Sequence, residues 1–394
     1  MGLFKEVKKP VIRTAATGAD FSAHRPAYVA RTAPCIHSCP SGTDVRGWLV
    51  ALAQHDAYNR TTERALEAAW RTILEHNPFP AICGRVCQHP CELNCNRKAK
   101  DGAVAVNRLE QFVGDAAIAH GWRTEPAAVT PDAPRVAVVG AGPAGLAAAY
   151  HLARAGCAVT LIDAAPQPGG MMRYAIPRSV IPAEVLDGEI ANILALGIEL
   201  RTGCAVGRDV AVAQLRAEFR AVFFAMGLQK AGQLELRAGS DGEAATIGEL
   251  SAELPQILLD EITEALPRVI NTVSVAIAQG RAVALTILAH LGGGVTGQTV
   301  AAPIIRSGGI KLDWYPSSVL AKSASPMTEA EAVAQAARCM SCGMCMDCET
   351  CWMYCSKNCF VKLPKGQHYK IKLDLCNGCG KCVESCPCGY LEMN

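Results

Sequence analysis

The stretch RCMSCGMCMDCETCWMYCSKNC, residues 338–359, carries seven cysteines. Residues 335–394 are too short for a large apolar core, so inorganic cross-links must hold this piece together. The first six thiols follow C-x2-C-x2-C-x2-C-x2-C-x3-C, from Cys339 to Cys355. One spacing that holds [4Fe–4S] clusters is C-x2-C-x2-C-x3-C, and Cys345, Cys348, Cys351 and Cys355 fit it. That leaves Cys339 and Cys342 without a role. A second run, Cys376, Cys379, Cys382 and Cys386 followed by Pro387, repeats the spacing; in the first, Ser356 stands where the proline would be. In paired runs the fourth cysteine ligates the other run's cluster. The expected sets are therefore Cys345, Cys348, Cys351 with Cys386, and Cys376, Cys379, Cys382 with Cys355. Zinc sites use separated CxxC knuckles, not three thiols at period three.

The chain has 394 residues, half of them apolar, and a net charge of +2. That length suggests two or three domains. Nothing in the charge points to nucleic acid or an anionic membrane. The start, MGLFKEVKKP, has no signal-peptide core, and no uninterrupted apolar run reaches about 18 residues. A soluble, cytoplasmic protein is expected, whose twenty cysteines bind metal or do redox chemistry instead of forming disulfides.

Residues 1–123 read as mostly helical, as in TTERALEAAWRTILEH. TEPAAVTPDAP is an Ala/Pro linker. After it, RVAVVG, AGLAAAYHLARAG and AVTLIDA form a βαβ unit, which implies a parallel sheet. Gly140, Gly142 and Gly145 follow the first strand and open the helix, with Pro143 and Ala144 between them. This is a dinucleotide fingerprint: one glycine for the turn, one for approach of the pyrophosphate, one for close helix–strand packing. Asp163 ends the next strand and suits a ribose hydroxyl. Gly227, in VFFAMG, joins the candidate cofactor contacts. Thr328 and Glu331 are spaced as a capping box, so a short helix should end near Cys339.

The fingerprint alone does not separate FAD from NAD. PGGMMRYAIPRSVIPAEVLDGEIANILALGIEL and NTVSVAIAQGRAVA resemble the FAD-domain motifs of the glutamate synthase small-subunit family, which is similar to the amino-terminal part of dihydropyrimidine dehydrogenase. The likeness covers about residues 30–295. It implies that Gly170 and Arg173 lie along a flavin, and that the helix start at Thr272 and Val273 points its positive end at the flavin's N1–O2 edge. Thr272 also reads as a simple N-cap. Family members carry a second, NAD(P), fingerprint; the 37 residues QLELRAGSDGEAATIGELSAELPQILLDEITEALPRV stand in its place without one. Most of an NAD(P) domain is therefore expected to be missing, with NAD(P) at most an exchangeable substrate.

CIHSCPSGTD and CGRVCQHPCELNC resemble the same family's two-cluster helical domain, in which a C-x2-C pair stands just before the first motif. Here AHRPAYVARTAP contains no cysteine. Cys339 and Cys342 then read as the displaced pair, brought back from the far end of the chain. One set becomes Cys339, Cys342, Cys35 and Cys95. The other becomes Cys39, Cys87, Cys91 and Glu110, the acid that the resemblance places in NRLEQF, with Cys83 as the alternative. Four [4Fe–4S] clusters result.

The expected architecture is α/β: a helical iron–sulfur domain (1–123), a Rossmann-like FAD domain with a truncated NAD(P) domain (134–325), and a ferredoxin-like 2[4Fe–4S] module (335–394). No hydrolytic or acid–base constellation stands out. The resemblance implies an oxidoreductase subunit passing electrons between ferredoxin-type clusters and NAD(P) through FAD. Its expected partners are catalytic subunits such as the thiamine-diphosphate subunits of a 2-oxoacid oxidoreductase of the phenylglyoxylate dehydrogenase kind. The tail also resembles flavoproteins of dissimilatory sulfur enzymes, glutamate synthesis is a further alternative, and a non-redox scaffold is the remote one.

Overall fold

The computed structural model describes residues 22–227, 236–238, 243–245, 272–292, 302–318, 326–364 and 366–394. Two compact units form: residues 73–88 with 113–297, and residues 1–72 with 89–112 and 298–394. Each unit is built from segments remote in sequence, as where Pro26–Tyr28 pairs with Leu391–Met393, and no local pattern announces such pairing.

In the unit of residues 73–88 and 113–297, four parallel strands lie in the order Glu199–Arg201, Ala158–Ile162, Arg135–Val139, Ala221–Phe224. Val136 to Val139 are all buried, the unbroken apolar run expected of a strand covered on both faces. Pro143 opens the helix Pro143–Arg154, whose residues from Gly145 to Ala153 are all buried. At roughly 1.5–3 kcal/mol per fully buried large side chain, Leu146, Leu152, Leu161 and Ile162, each at 0% exposure, anchor the layer. The helix Val273–His290 is long and apolar enough to cross a membrane. Here it packs on the fingerprint helix instead: a Cβ on Gly280 would lie 2.0 Å from the Ala144 carbonyl oxygen. Glu189, on the helix Ala183–Leu194, accepts from the N–H groups of Ala81 (2.6 Å) and Ile82 (3.1 Å), capping the helix Pro80–Val86. Of the segment expected to replace the NAD(P) domain, only the antiparallel strands Leu236–Ala238 and Glu243–Ala245 are described; the rest lies outside the described residues.

In the other unit, the strand Pro26–Tyr28 pairs antiparallel with Leu391–Met393, joining the two ends of the chain. Tyr28 stacks on Tyr390 and donates its hydroxyl to the Tyr369 carbonyl at 2.7 Å. A hairpin, Phe360–Lys362 with Tyr369–Ile371, lies beside the cysteine runs. The predicted capping box is present: Thr328 and Glu331 close the start of the helix Glu329–Ala336. Just beyond it a buried charge cluster ties three segments together. Asp101 accepts from Arg97 through both oxygens at 2.6 Å, from Arg338 at 3.2 Å and from the Ser318 N–H at 2.8 Å. Arg97 also donates to the carbonyls of Arg338 and Pro316. These bonds fix the chain immediately before Cys339.

Candidate functional site

The carboxy-terminal thiols converge on two cavities. Cys345, Cys348, Cys351 and Cys386 line one, together with Tyr28 and Tyr369. Cys355, Cys376, Cys379 and Cys382 line the other. The grouping is the crossed one: the last cysteine of each run faces the first three of the other. Sulfur atoms take backbone N–H groups: Cys355 from Cys359 (3.2 Å), Cys376 from Gly378 (3.4 Å) and Cys386 from Tyr390 (3.4 Å). Burial, then the Asp347 carboxylate and neighbouring thiols, pushes Cys345 up to about 12; burial also pushes Cys382 up to about 12, with Cys355, Cys376 and Cys379 adding to it. So many buried thiols cannot ionise together unless cationic charge lies among them. A metal cluster supplies such charge, and the donor set fits one.

The backbone explains how short segments aim their sulfurs. Two residues after Cys339, Cys345 and Cys376 the chain turns left-handed, at Ser341 (φ 47°), Asp347 (φ 54°) and Gly378 (φ 74°). Four residues after each it does so again, at Gly343 (φ 70°), Glu349 (φ 66°) and Gly380 (φ 75°). Non-glycine residues rarely adopt this conformation, and where held in it they mark functional turns. The Cys339 pair therefore shares its turn with both tail runs. It is not a trailing decoration of the first.

Cys35, from the other end of the chain, has Cys339, Cys342, Cys95 and Cys91 as its electrostatic neighbours, and burial with these thiols pushes it well up. Cys339 is pushed up to about 12 and Cys342 to about 11, each by burial first. Asn96 lies with its Nδ2 3.5 Å from the Cys342 sulfur, Ser341 N–H donates to that of Cys339, and Arg46 donates to the Cys342 carbonyl at 2.6 Å. The structure thus brings Cys35, Cys95, Cys339 and Cys342 together. Sequence reasoning missed Asn96 and Arg46. Adjacency to Cys95 was a signal for the first; the second has none.

Cys39 has Glu110 as its charged neighbour, which raises its pKa after burial has done so. Cys83, the competing candidate, is buried and directs its thiol to Asn77 Oδ1 at 3.7 Å. Cys87 ends the helix Pro80–Val86, its N–H donating to the Cys83 carbonyl. Asp347 and His368 lie beside Cys345. His368 Nδ1 is 2.9 Å from Asp347, and the Tyr58 hydroxyl donates to the same carboxylate. Since Cys345 faces the tail cavity, these groups read as its surroundings, not a separate metal site.

At the fingerprint, Gly140 has φ 109°, and a Cβ there would lie 2.5 Å from the Ala225 carbonyl oxygen. A Cβ on Gly145 would lie 1.8 Å from the Gly140 oxygen, and one on Gly170 would lie 2.7 Å from the Gly142 Cα. These glycines leave an open cradle at the start of the helix, where its dipole favours a phosphate. Asp163 accepts from the N–H groups of Ala141 (2.5 Å) and Ala165 (2.7 Å), which holds its carboxylate at the strand end. Arg173 is engaged by the Pro168 carbonyl and by Asp187. Thr272 caps its helix by accepting from Val275 N–H, with Val273 the first helical residue. Gly227 lies past the last strand with φ 82°. Gly280 was missed as a fingerprint contact, because a glycine inside a helical pattern signals little by itself.

Residues 3–122 match the family described as dihydropyrimidine dehydrogenase domain II, 4Fe-4S cluster, and residues 138–193 match the NAD(P)-binding Rossmann-like domain. The chain has an amino-terminal 4Fe–4S domain followed by a Rossmann-like domain. It is 34% identical over 233 residues to NADP(+)-dependent formate dehydrogenase subunit beta of Moorella thermoacetica, covering 54% of this chain and 32% of that one. Against the NAD-dependent dihydropyrimidine dehydrogenase subunit PreT homolog of Salmonella typhi the identity is 36% over 207 residues, 52% and 48% of the two chains. NADPH-Fe(3+) oxidoreductase subunit beta of Geobacter sulfurreducens (strain DL-1 / KN400) is 33% identical over 218 residues, 54% and 30%. Each is named as a subunit of an oxidoreductase, and this chain spans less than half the length of each.

Proposed function

We propose that this chain is the FAD- and iron–sulfur-containing electron-transfer subunit of an NAD(P)-linked oxidoreductase. The observation that carries the reading is the convergence of Cys35 and Cys95 with Cys339 and Cys342, which links the amino-terminal iron–sulfur domain to the tail runs. Four [4Fe–4S] clusters follow. Their ligands are Cys35, Cys95, Cys339 and Cys342; Cys39, Cys87, Cys91 and Glu110; Cys345, Cys348, Cys351 and Cys386; and Cys355, Cys376, Cys379 and Cys382. The dinucleotide on Gly140, Gly142 and Gly145 is FAD, which when bound exchanges hydride with a nicotinamide and single electrons with clusters.

The chain's own groups hold and insulate these carriers. The helix Pro143–Arg154 presents its amino terminus to the pyrophosphate, Asp163 keeps lone pairs for a ribose hydroxyl, and the close approach of Gly142 and Gly170 leaves backbone as the cradle wall. The N–H groups donated to cysteine sulfurs stabilise thiolate charge and so favour the reduced clusters. The partner class we favour is the thiamine-diphosphate subunits of a 2-oxoacid oxidoreductase, because a ferredoxin-type tail without a full NAD(P) domain suits a subunit that serves a catalytic partner; the tail's resemblance to flavoproteins of dissimilatory sulfur enzymes supports the rival. The relatives' names, which include formate and dihydropyrimidine enzymes, make the partner the point to test. Anaerobic purification with iron and flavin analysis should give FAD and about sixteen irons, and co-purifying chains identify the complex. About eight irons would remove two of the four clusters; absence of flavin would sink the reading.

A further inference from the structure

Each tail cavity holds five thiols, one more than a cluster needs. Cys388 lines the first cavity with its four expected ligands, and its sulfur lies 3.8 Å from that of Cys386. Cys359 lines the second in the same way, and its backbone N–H donates to the Cys355 sulfur at 3.2 Å. Both extra residues are only 2% exposed, so neither is a surface thiol. Each stands next to the ligand that crosses over from the other run. The chain reaches this arrangement by different spacings, four residues from Cys355 to Cys359 and two from Cys386 to Cys388. The same outcome in both cavities is the second observation that separates it from chance packing.

We propose that Cys388 and Cys359 are alternative cluster ligands, able to take the places of Cys386 and Cys355. The inference rests on the cluster reading above. In the exchange, the iron–sulfur bond to Cys386 breaks as one to Cys388 forms. The proton of the Cys388 thiol ends on Cys386, and no electron is transferred. The second cavity exchanges Cys355 for Cys359 in the same way.

The full chain, purified anaerobically, tests this with alanine variants, because a serine oxygen can itself bind iron. C386A should keep about sixteen irons and C386A/C388A about twelve, with C388A like wild type. C355A and C355A/C359A should repeat the pattern. In C386A the retained cluster should show altered g values by electron paramagnetic resonance and a shifted reduction potential, since its ligating sulfur now comes from another position. A single variant that loses four irons, or loses its fold, overturns the proposal for that cavity. So does a double variant that keeps all its iron. A wild-type chain with no tail clusters would instead refute the cluster reading itself, and this inference with it.

Discussion

Replacing Asp101 with asparagine should destabilise the unit that contains both ends of the chain, and should do so through a buried charge imbalance. The Asp101 and Arg97 side chains are 4% and 1% exposed, and that of Arg338 is 6% exposed. Asparagine keeps the shape of Asp101 but leaves two buried guanidinium groups with no anion, and turns an amide donor toward them. Removing one partner of a buried ionic cluster costs about 3–5 kcal/mol. For a body of about 150–250 residues each kcal/mol moves the melting temperature by about 2–4 °C, so a drop of about 6–20 °C is expected. Arg97 donors, then the other bonds, hold the Asp101 carboxyl well below the usual range. A depressed carboxyl contributes stability above its unfolded value of about 4 and loses it as pH falls toward the folded value. The gap between wild type and D101N should therefore be widest at neutral pH and close in acid. Because Arg338 immediately precedes Cys339, D101N should also lose iron faster to a chelator. Thermal melts followed by circular dichroism across pH, on anaerobic protein, measure this. A variant melting within about 2 °C of wild type at pH 7 would refute the reasoning.

Gly280→Ala forces a methyl onto the Ala144 carbonyl and should weaken flavin binding about tenfold or more while iron content stays unchanged; equal flavin occupancy would show that the helix contact does not shape the cradle. Burial holds the Glu189 carboxyl well above its ordinary range. The stability of wild type relative to E189Q should therefore fall as pH rises above about 4, and denaturant midpoints parallel across pH would count against it. Flavin in the isolated chain should be reduced by NADH more slowly than in the complex. Rapid reduction, with tight NADH binding at a site remote from the flavin, would overturn the expectation of a reduced NAD(P) domain.

The βαβ unit was legible because its signals are local: an apolar strand, three glycines at fixed offsets, and an acid at the next strand end. The crossed grouping of the tail thiols was legible in spacing, and the approach of Cys339 and Cys342 to Cys35 and Cys95 in the family resemblance, whose amino-terminal C-x2-C pair this chain lacks. Other features had no local signal. Three-residue strands such as Pro26–Tyr28 and Leu391–Met393 are too short to show alternation, so the joining of the chain ends was invisible. Gly343, Gly378 and Gly380 hinted at left-handed turns, but Ser341, Asp347 and Glu349 occupy the equivalent conformation with no composition to mark it. The Asp101 cluster draws on residues from positions 97 to 338, a separation that charge patterning along a helix does not reach. Cys359 and Cys388 lie outside the two complete ligand runs, so spacing gives them no role. Only the shared cavities distinguish a fifth thiol from a neighbour.

In the proposed assignment Cys339 and Cys342 close a cluster with Cys35 and Cys95. The direct measurement is iron and flavin content of the C339A/C342A chain, with electron transfer from reduced tail clusters to flavin followed by rapid mixing. The account predicts a fall from about sixteen irons to about twelve, with FAD and both tail clusters retained and transfer between them interrupted. A variant that keeps all its iron and passes electrons at the wild-type rate would contradict it.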